Sequence, residues 1–517
     1  MEPILLSVFL IPTLSIPFVY LAGKKSQKAA AIFVSLIALV NILLILTTIP
    51  TVLNSSTHQY IEPYIWIPVI QMKLTLFTDG ISASIALISL SLILAASLFS
   101  IRYMAGKKSL PAYYMLLCML SIGSVGVFLT SNLILFYFCW ELMLVPAYFI
   151  IGEWGSGDSY KSAFKFFIYT HIGAVFVLLG IGATYIATGT TDMFQAQAAL
   201  VTASPTLVKW ILIALTAGFA VKMAVIPVHM WLPDSYSDAP TPMSALLGGV
   251  LSSAGAYAIL RLSLGMVFPA VGLTFGTDFL YALSIVGVLS AFFGSFMALV
   301  STDIKRLIAY SSISHMGYIM FGLSLFPVSV FAGTGVLLAS AIAISGTVLH
   351  IITHSLSKGL LFLGAGGVES QTEERDIGRM GGLASKLPFT AVSSTIAAFS
   401  IGGVPPFACF ISEFLIFVGA FQIIGGAGGG FYIVPTALML IATVLSVAYM
   451  LRFTSKVFLG QSKDELGELP GETKSENKIV DVSNYMKLSF AILVVLVVLV
   501  GIYPTFFLNL INTVRLG

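Results

Sequence analysis

Three basic side chains recur at a regular spacing inside one long apolar stretch of the sequence. His350, His354 and Lys358 follow one another at intervals of four residues, which places all three on one face of a helix. Side chains that gain and lose protons along one face can line a path for water and protons. Two histidines at this spacing could also bind zinc, but no carboxylate motif accompanies them, so we expect no metal site.

Three further charged residues, Glu141, Lys222 and Glu413, lie deep inside other apolar runs. An ionisable side chain at the centre of a membrane helix costs about 2.5–3.5 kcal/mol on insertion scales. We therefore predict that these residues, with His350, His354 and Lys358, form a relay that moves protons or cations through the middle of a membrane. For Glu141 and Lys222 together, the alternative is a static ion pair that holds two helices together.

Lys165, His229 and His315 lie in or beside the same apolar runs, and we assign them supporting positions. An ordinary buried histidine would explain His229 as well as a relay does. Lys165 can simply extend its ammonium group toward the membrane surface.

The elements that hold these side chains must be membrane helices. The chain has 517 residues, of which 58% are hydrophobic and 9% are charged, and its net charge is +3. A soluble protein typically has about 25% charged residues. These values exclude a soluble fold, and the lack of a basic stripe argues against nucleic-acid binding.

Counting apolar runs of about 20 residues predicts an all-α polytopic membrane protein with about 14 transmembrane helices. No strand-like alternation supports a β-barrel. Most of the 25 Lys and Arg residues fall in loops on one side, which would be the cytoplasmic side, so both termini are expected outside. The expected units are three N-terminal spans in 1–110, a first five-helix repeat in 111–268, a second in 276–457, and a polar loop with the last span in 458–517.

Weak sequence echoes relate spans 4–8 to spans 9–13, and a repeat of five spans must insert the second copy upside down. Spans 7 and 12 are expected to be broken, because the first carries Pro227 and the second carries residues 402–406, GGVPP. Inverted repeats with matched broken helices place their working residues near the middle of the membrane.

Several motifs resemble those of the antiporter-like subunits of respiratory complex I, of Mrp cation/proton antiporters and of energy-converting membrane-bound hydrogenases. They are FCWELMLVP at 138–146, KFFIYT at 165–170, FAVKMAVIPVHMWLPD at 219–234, APTP at 239–242 and DIKRLIAYSSISHMG at 303–317. The chain length resembles the M or N type of complex I subunit. The run 350–362 looks closer to Mrp D-type and hydrogenase H-type subunits.

The resemblance implies a role for individual residues. Glu141 and Lys222 match the glutamate of the fifth span and the lysine of the broken seventh, and Glu413 matches the glutamate of the broken twelfth. His354 and Lys358 match the polar residues of the eleventh span. In the eighth span the family usually has a lysine where this chain has Ser253. A serine cannot hold a proton as a cation, so the two halves must connect through water, His350 or His354. The alternative is that this subunit does not pump protons straight through.

The resulting hypothesis is an ion-translocating subunit, for H⁺ or Na⁺/H⁺, of a complex I-related redox complex in the plasma membrane of a prokaryote. The alternative is a subunit of a stand-alone Mrp-type antiporter. The sequence contains no redox or hydrolytic site of its own, and its three cysteines are isolated. We expect no cofactor in this chain, and as partners other antiporter-like and small membrane subunits, a peripheral redox module and the lipid bilayer.

Overall fold

The computed structural model describes residues 3–68, 72–326, 334–426, 429–460 and 480–514. Within these ranges, twelve helices are long and apolar enough to cross a membrane. The protein is therefore a multi-pass integral membrane protein, and the predicted fold class is confirmed. The figure of fourteen spans stays a prediction, as do the inverted repeat and the side on which the termini lie. Most of the polar loop expected in 458–517 falls outside the described residues.

The helices follow one another along the chain with short connections. The first part contains α1 (Ile4–Lys25), α2 (Gln27–Asn54), α3 (Gly80–Tyr103), α4 (Leu110–Leu129), α5 (Leu133–Trp154), α6 (Ser159–Thr188), α7 (Met193–Leu200), α8 (Pro205–Met223), α9 (Leu232–Asp238), α10 (Thr241–Leu246) and α11 (Ser252–Ala258). The second part contains α12 (Leu273–Val300), α13 (Ile304–Ser324), α14 (Thr334–Thr372), α15 (Pro388–Ile401), α16 (Ala408–Ile424), α17 (Ile433–Val457), α18 (Asn484–Ile502) and α19 (Thr505–Ile511).

Two spans are interrupted where the prolines predicted it. The helix α8 ends at Met223 and resumes as α9 at Leu232, and α15 ends at Ile401 before α16 begins at Ala408. Both interruptions leave backbone groups without helical partners, which the membrane core tolerates only beside protein or water. At the first, Trp231 donates its indole N–H to the carbonyl of Val221 at 2.9 Å. The Ser290 hydroxyl accepts from the amide of Ile226 at 3.0 Å.

The structure adds a β-hairpin that the sequence analysis did not foresee. Strands β1 (Tyr60–Ile67) and β2 (Met72–Thr78) pair antiparallel between α2 and α3, with Tyr60 opposite Thr78. The hairpin carries Glu62, whose carboxylate accepts from the amides of Leu5 at 2.7 Å and Leu6 at 3.0 Å. A negative charge on the free N–H groups at a helix start is stabilising, so the hairpin fixes the start of α1.

The centre of the molecule is formed by α14 and by the helical segment Thr241–Ala270, which contains α10 and α11 joined by π-helical turns. The segment is fully buried along its most apolar stretch. The helix α14 packs against α13, α15, α16 and α18, and also against α3 and α10. It therefore touches helices from both predicted repeats, and its polar face lies where they meet.

Candidate functional site

Lys222 is positioned by the end of the first half of the broken span. It lies in the last turn of α8, is 3% exposed, and is followed by Ala224 in the left-handed conformation at φ 59°. Its ammonium group donates to the carbonyl of Trp140 at 2.9 Å and lies 3.8 Å from the centre of that indole ring. The free carbonyls of a helix end and the face of an aromatic ring both stabilise a cation.

Glu141 does not form the expected ion pair with Lys222. Its carboxylate lies 3.5 Å from Nδ1 of His171 on the neighbouring helix α6. In the described part of the chain, no carboxylate lies within 4.0 Å of the Lys222 ammonium. Adjacent side chains at 140 and 141 leave a helix in different directions, and the rotation of α5 turns Trp140 toward Lys222 instead. Glu141 and His171 are 24% and 49% exposed, so they lie near the outer face of the bundle.

Lys358 lies at the centre of the second half and is fully buried. Its ammonium group donates to the hydroxyl of Ser311 and to the carbonyl of Ile308, the latter at 3.3 Å, both on α13. Within the described ranges no carboxylate lies within ion-pair distance of it. Lys358 is therefore held by neutral acceptors alone.

The histidines form a connected cluster with side chains from four helices, α13, α14, α16 and α17. His350 on α14 lies with Nε2 3.2 Å from Nδ1 of His315 on α13. The outer nitrogens also have partners, because Nδ1 of His350 lies 2.9 Å from the Ser412 hydroxyl and Nε2 of His315 lies 3.2 Å from the Tyr449 hydroxyl. Each ring nitrogen of this pair therefore has a partner. Hydrogen bonds of this kind can pass protons by exchanging donor and acceptor roles.

His354 lies beside this cluster without completing it. Its ring is stacked 5.7 Å from that of His315, yet neither of its nitrogens has a hydrogen-bond partner among the described residues. His229, at the first break, likewise has two unpartnered nitrogens and packs edge-on against Phe293. Buried polar groups without partners are costly, so both sites are suited to water.

Glu413 is placed by the second break. It lies on α16, is 6% exposed, and its Oε1 has no described hydrogen-bond partner. Gly403, at φ +64°, passes so close that a Cβ there would lie 2.7 Å from Oε2 of Glu413. The carboxylate also lines a largely apolar cavity of about 640 Å³ between α16 and α17.

Ser253 links the two halves directly. Its hydroxyl lies 2.6 Å from that of Ser355 on α14. The pair stands where α11 packs against α14. A hydroxyl pair can donate and accept together, so the position that lacks a lysine keeps a polar contact.

Lys165 has a specific partner and does not merely extend to the membrane surface. Its ammonium group lies 2.7 Å from Asp234 on α9, and Arg306 on α13 lies 2.6 Å from the same carboxylate. Asp234 thereby ties α6 and α13 to the second half of the broken span. All three side chains are partly exposed, at 28–45%, so this cluster lies at the edge of the buried site.

Sequence reasoning missed several partners that the structure supplies. Asp79 caps the start of α3, and it also forms a buried ion pair with Arg261 at 2.8 Å. Ser311, Ser412 and Tyr449 hold the central side chains. Serines and tyrosines are common in membrane helices and these come from separate spans, so no local spacing identified them.

Among the residues that the structure describes, His315, His350 and Glu413 could hold a metal ion, because one ligand atom of each lies within 4.8 Å of the others. The cysteines Cys118, Cys139 and Cys409 are buried, free and far apart in sequence. The site as described offers buried bases and acids joined by hydroxyl groups. Such an arrangement can move protons.

Comparison with known proteins gives consistent matches. Residues 130–438 match the family described as NADH:quinone oxidoreductase/Mrp antiporter, transmembrane. The chain is 31% identical to the NADH-quinone oxidoreductase subunit M of Rickettsia prowazekii, over 98% of this chain and 96% of that protein. It is 34% identical to subunit M of Escherichia coli, over 85% of this chain and 81% of that protein.

Solved structures share the fold. A chain of the Mrp complex from Dietzia sp. DQ12-45-1b superposes with a TM-score of 0.83 at 21% identity, covering 99% of this chain and 97% of the other. A chain of an archaeal membrane-bound sulfane sulfur reductase gives 0.82 at 24% identity, with the same coverage. A chain of respiratory complex I from Thermus thermophilus gives 0.81 at 21% identity, covering 98% of each.

Proposed function

The chain belongs to the NADH:quinone oxidoreductase/Mrp antiporter family, and we propose that its buried lysines, histidines and glutamates carry protons between the two sides of the membrane. It is an antiporter-like, proton-translocating subunit of a complex I-related membrane complex. Other membrane subunits are its partners, as in the multi-subunit complexes of its relatives.

The observation that carries the assignment of residues is the polar chain on one face of α14. Lys358 contacts Ser311, and His350 contacts both His315 and Ser412. All these side chains are buried. A buried polar network with histidine in series provides successive sites that can accept and release a proton.

The proposed path has two segments. In the first segment, Glu141 and His171 form a proton-binding site near the outer face of the bundle, and Lys222 forms a buried one at the broken helix. In the second, Lys358 leads through the histidines to Glu413. The hydroxyl pair of Ser253 and Ser355 joins the segments, with water beside His354 and His229 completing the contacts that side chains leave open.

The driving force comes from outside the chain in this proposal. We infer that a peripheral redox module oxidises its substrate and passes a conformational or electrostatic change through neighbouring subunits. Sites held by neutral acceptors respond to such a change, because a charge brought near Lys358 or Lys222 meets little local compensation. The proposed location is the plasma membrane of a prokaryote, with both termini outside. Purification of the native complex and identification of its subunits tests for the redox module.

The relay is tested by Lys358→Met in the intact complex, reconstituted in vesicles. Methionine keeps much of the side-chain volume and removes the proton-carrying group. We expect the number of protons moved per electron to fall. Lys209→Met is the matched control, because it removes one positive charge from a partly exposed lysine that packs on Phe275 at 5.2 Å. An unchanged ratio in Lys358→Met would exclude Lys358 from the path.

A further inference from the structure

The two inner imidazole nitrogens of the histidine cluster stand at the separation that a metal ion requires. Nδ1 of His315 and Nε2 of His350 are 3.2 Å apart. Zinc–nitrogen bonds of about 2.0–2.1 Å in tetrahedral geometry place two nitrogens about 3.3 Å apart. The two rings lie at 13° to each other with their centroids 5.4 Å apart, so the two nitrogens face each other directly. The nitrogen separation already suits one ion, and each ring must tilt so that both lone pairs reach it.

The outer nitrogens are arranged as they are around bound metal ions. A metal-ligating histidine usually donates its other N–H to an oxygen, which fixes the ring and its tautomer. Here Tyr449 lies at Nε2 of His315 and Ser412 lies at Nδ1 of His350. With each neutral ring protonated on its outer nitrogen, both inner lone pairs are available to one ion bound beside the line that joins them.

A carboxylate completes the donor set. Glu413 offers a carboxylate oxygen within 4.8 Å of a ring nitrogen of each histidine, and a shift of about 1–2 Å would bring it to bonding distance. Its Oε1 is buried without a hydrogen-bond partner among the described residues, so this oxygen is free to bind. The three donors come from α13, α14 and α16, and these helices pack against one another.

We propose that His315, His350 and Glu413 form a binding site for Zn²⁺, with water as the fourth ligand. Two imidazoles and one carboxylate suit zinc, whereas Mg²⁺ and Ca²⁺ prefer sites made of oxygen alone.

Bound zinc also has a consequence for transport, and this part rests on the proposed function. The ion occupies the lone pairs through which His315 and His350 would exchange a proton. Zinc therefore stops proton movement through this chain, and removal of zinc by a chelator restores it.

The test measures zinc directly in the purified complex. The complex is stripped with a chelator and dialysed against Zn²⁺, and its zinc content is compared between wild type and variants. We expect Glu413→Gln and His350→Gln to hold one zinc fewer per chain. His58→Gln, which alters a histidine on the loop before the hairpin, is the control and should hold as much as wild type. Equal zinc content in all four proteins would overturn the proposal.

Two further measurements keep the result decisive if a variant fails to assemble. X-ray absorption of the zinc-loaded wild type should show that the zinc taken up on dialysis is bound to two imidazoles and to oxygen. A zinc ion with fewer than two imidazole ligands would overturn the proposed site. Ser412→Ala leaves all three donors in place but removes the hydroxyl beside His350. It should weaken zinc binding about 10- to 100-fold, the usual effect of losing such a partner.

The zinc site and the relay can fail separately. If zinc binds as expected but proton movement continues at its former rate, the site stands and the route through the histidines is wrong. If Lys358→Met stops proton movement while no zinc binds to this cluster, the relay stands and the metal site is wrong.

Discussion

Substitution of a single glycine should move the carboxylate of Glu413 without changing the residue itself, and so test whether its position matters for transport. Gly403 has φ +64°, and a Cβ there would lie 2.7 Å from Oε2 of Glu413. In a Gly403→Ala variant the carboxylate must move by 0.3 Å to clear the 3.0 Å limit, and by 0.7 Å to reach ordinary contact at 3.4 Å. The obstructing atom is the end of a flexible side chain, so movement of Glu413 is the easiest response.

The cost to folding should be small and the cost to transport large. A left-handed conformation costs a residue other than glycine about 1–2 kcal/mol, which a large membrane complex can lose and still assemble. A displacement of about 1 Å at a reacting group can reduce a rate about 100-fold. We therefore expect proton movement through this chain to fall about 10- to 100-fold in Gly403→Ala, although Glu413 itself is unchanged.

The assay is proton uptake per electron in vesicles that contain the assembled complex. Gly402→Ala is the matched control. Gly402 has φ −71°, and a Cβ there would meet its nearest atom, the carbonyl oxygen of Ala398, at 3.4 Å. If Gly403→Ala assembles normally and moves as many protons per electron as Gly402→Ala, the placement of Glu413 by the second break has no part in transport.

Three other predictions concern charged groups that stabilise the fold. Arg261→Met leaves Asp79 buried and unpaired, so the free energy of unfolding should fall by about 3–5 kcal/mol. Thermal unfolding of the complex measures this loss, and the double variant with Asp79→Asn should regain a large part of the lost stability. Asp234→Asn removes only partly exposed ion pairs, each worth about 1 kcal/mol or less; the melting temperature should change little, and less still at high salt. Glu62→Ala removes the carboxylate at the start of α1 and should cost about 0.5–2 kcal/mol, seen as faster hydrogen exchange at the amide of Leu5.

The sequence was informative where a residue is unusual for its surroundings. A lysine or glutamate in an apolar run stands out by itself, and a proline in a span indicates a break. For this reason Lys222, Lys358, Glu413 and the two interruptions could be predicted without any knowledge of contacts. The motif resemblance added the family, which the matches over 130–438 confirm.

The partners of these residues could not be predicted, because they depend on how the helices are rotated and packed. Glu141 follows Trp140 directly, and only the rotation of α5 decides which of them faces Lys222. The close approach of two histidines from different helices could not be predicted from the sequence for a similar reason. His350 and His354 at helical spacing suggested two ligands on one helix, whereas the close pair is His350 with His315 from another helix.

The hairpin was missed because its residues give two conflicting signals. The stretch 60–78 is apolar enough to resemble the margin of a span, but it is too short to cross a membrane. Its contribution lies in Glu62, which binds amides of α1 more than 50 residues earlier in the chain. Such a contact exists only once the hairpin has packed against the start of α1.

The buried charges of this chain divide into two classes by their partners. Arg261 pairs with Asp79 at 2.8 Å, and Lys305 pairs with Glu369 at 3.0 Å. In these pairs each charge compensates the other, so a structural role is enough to explain why these buried charges are present. Lys222, Lys358 and Glu413 are equally buried, but in the described part of the chain none has an oppositely charged group within 4.0 Å.

An uncompensated charge in a membrane lowers stability, and replacing it with an apolar side chain would usually remove that cost. A group that must alternate between charged and neutral forms cannot have a fixed partner, since a permanent ion pair would hold it in the charged form. The missing partners of Lys222, Lys358 and Glu413 are therefore what a proton path requires. The same reasoning predicts that a carboxylate placed beside Lys358, as in Ser311→Asp, should stabilise the chain and stop proton movement. If Ser311→Asp transports protons normally, lack of a partner is not what makes Lys358 functional.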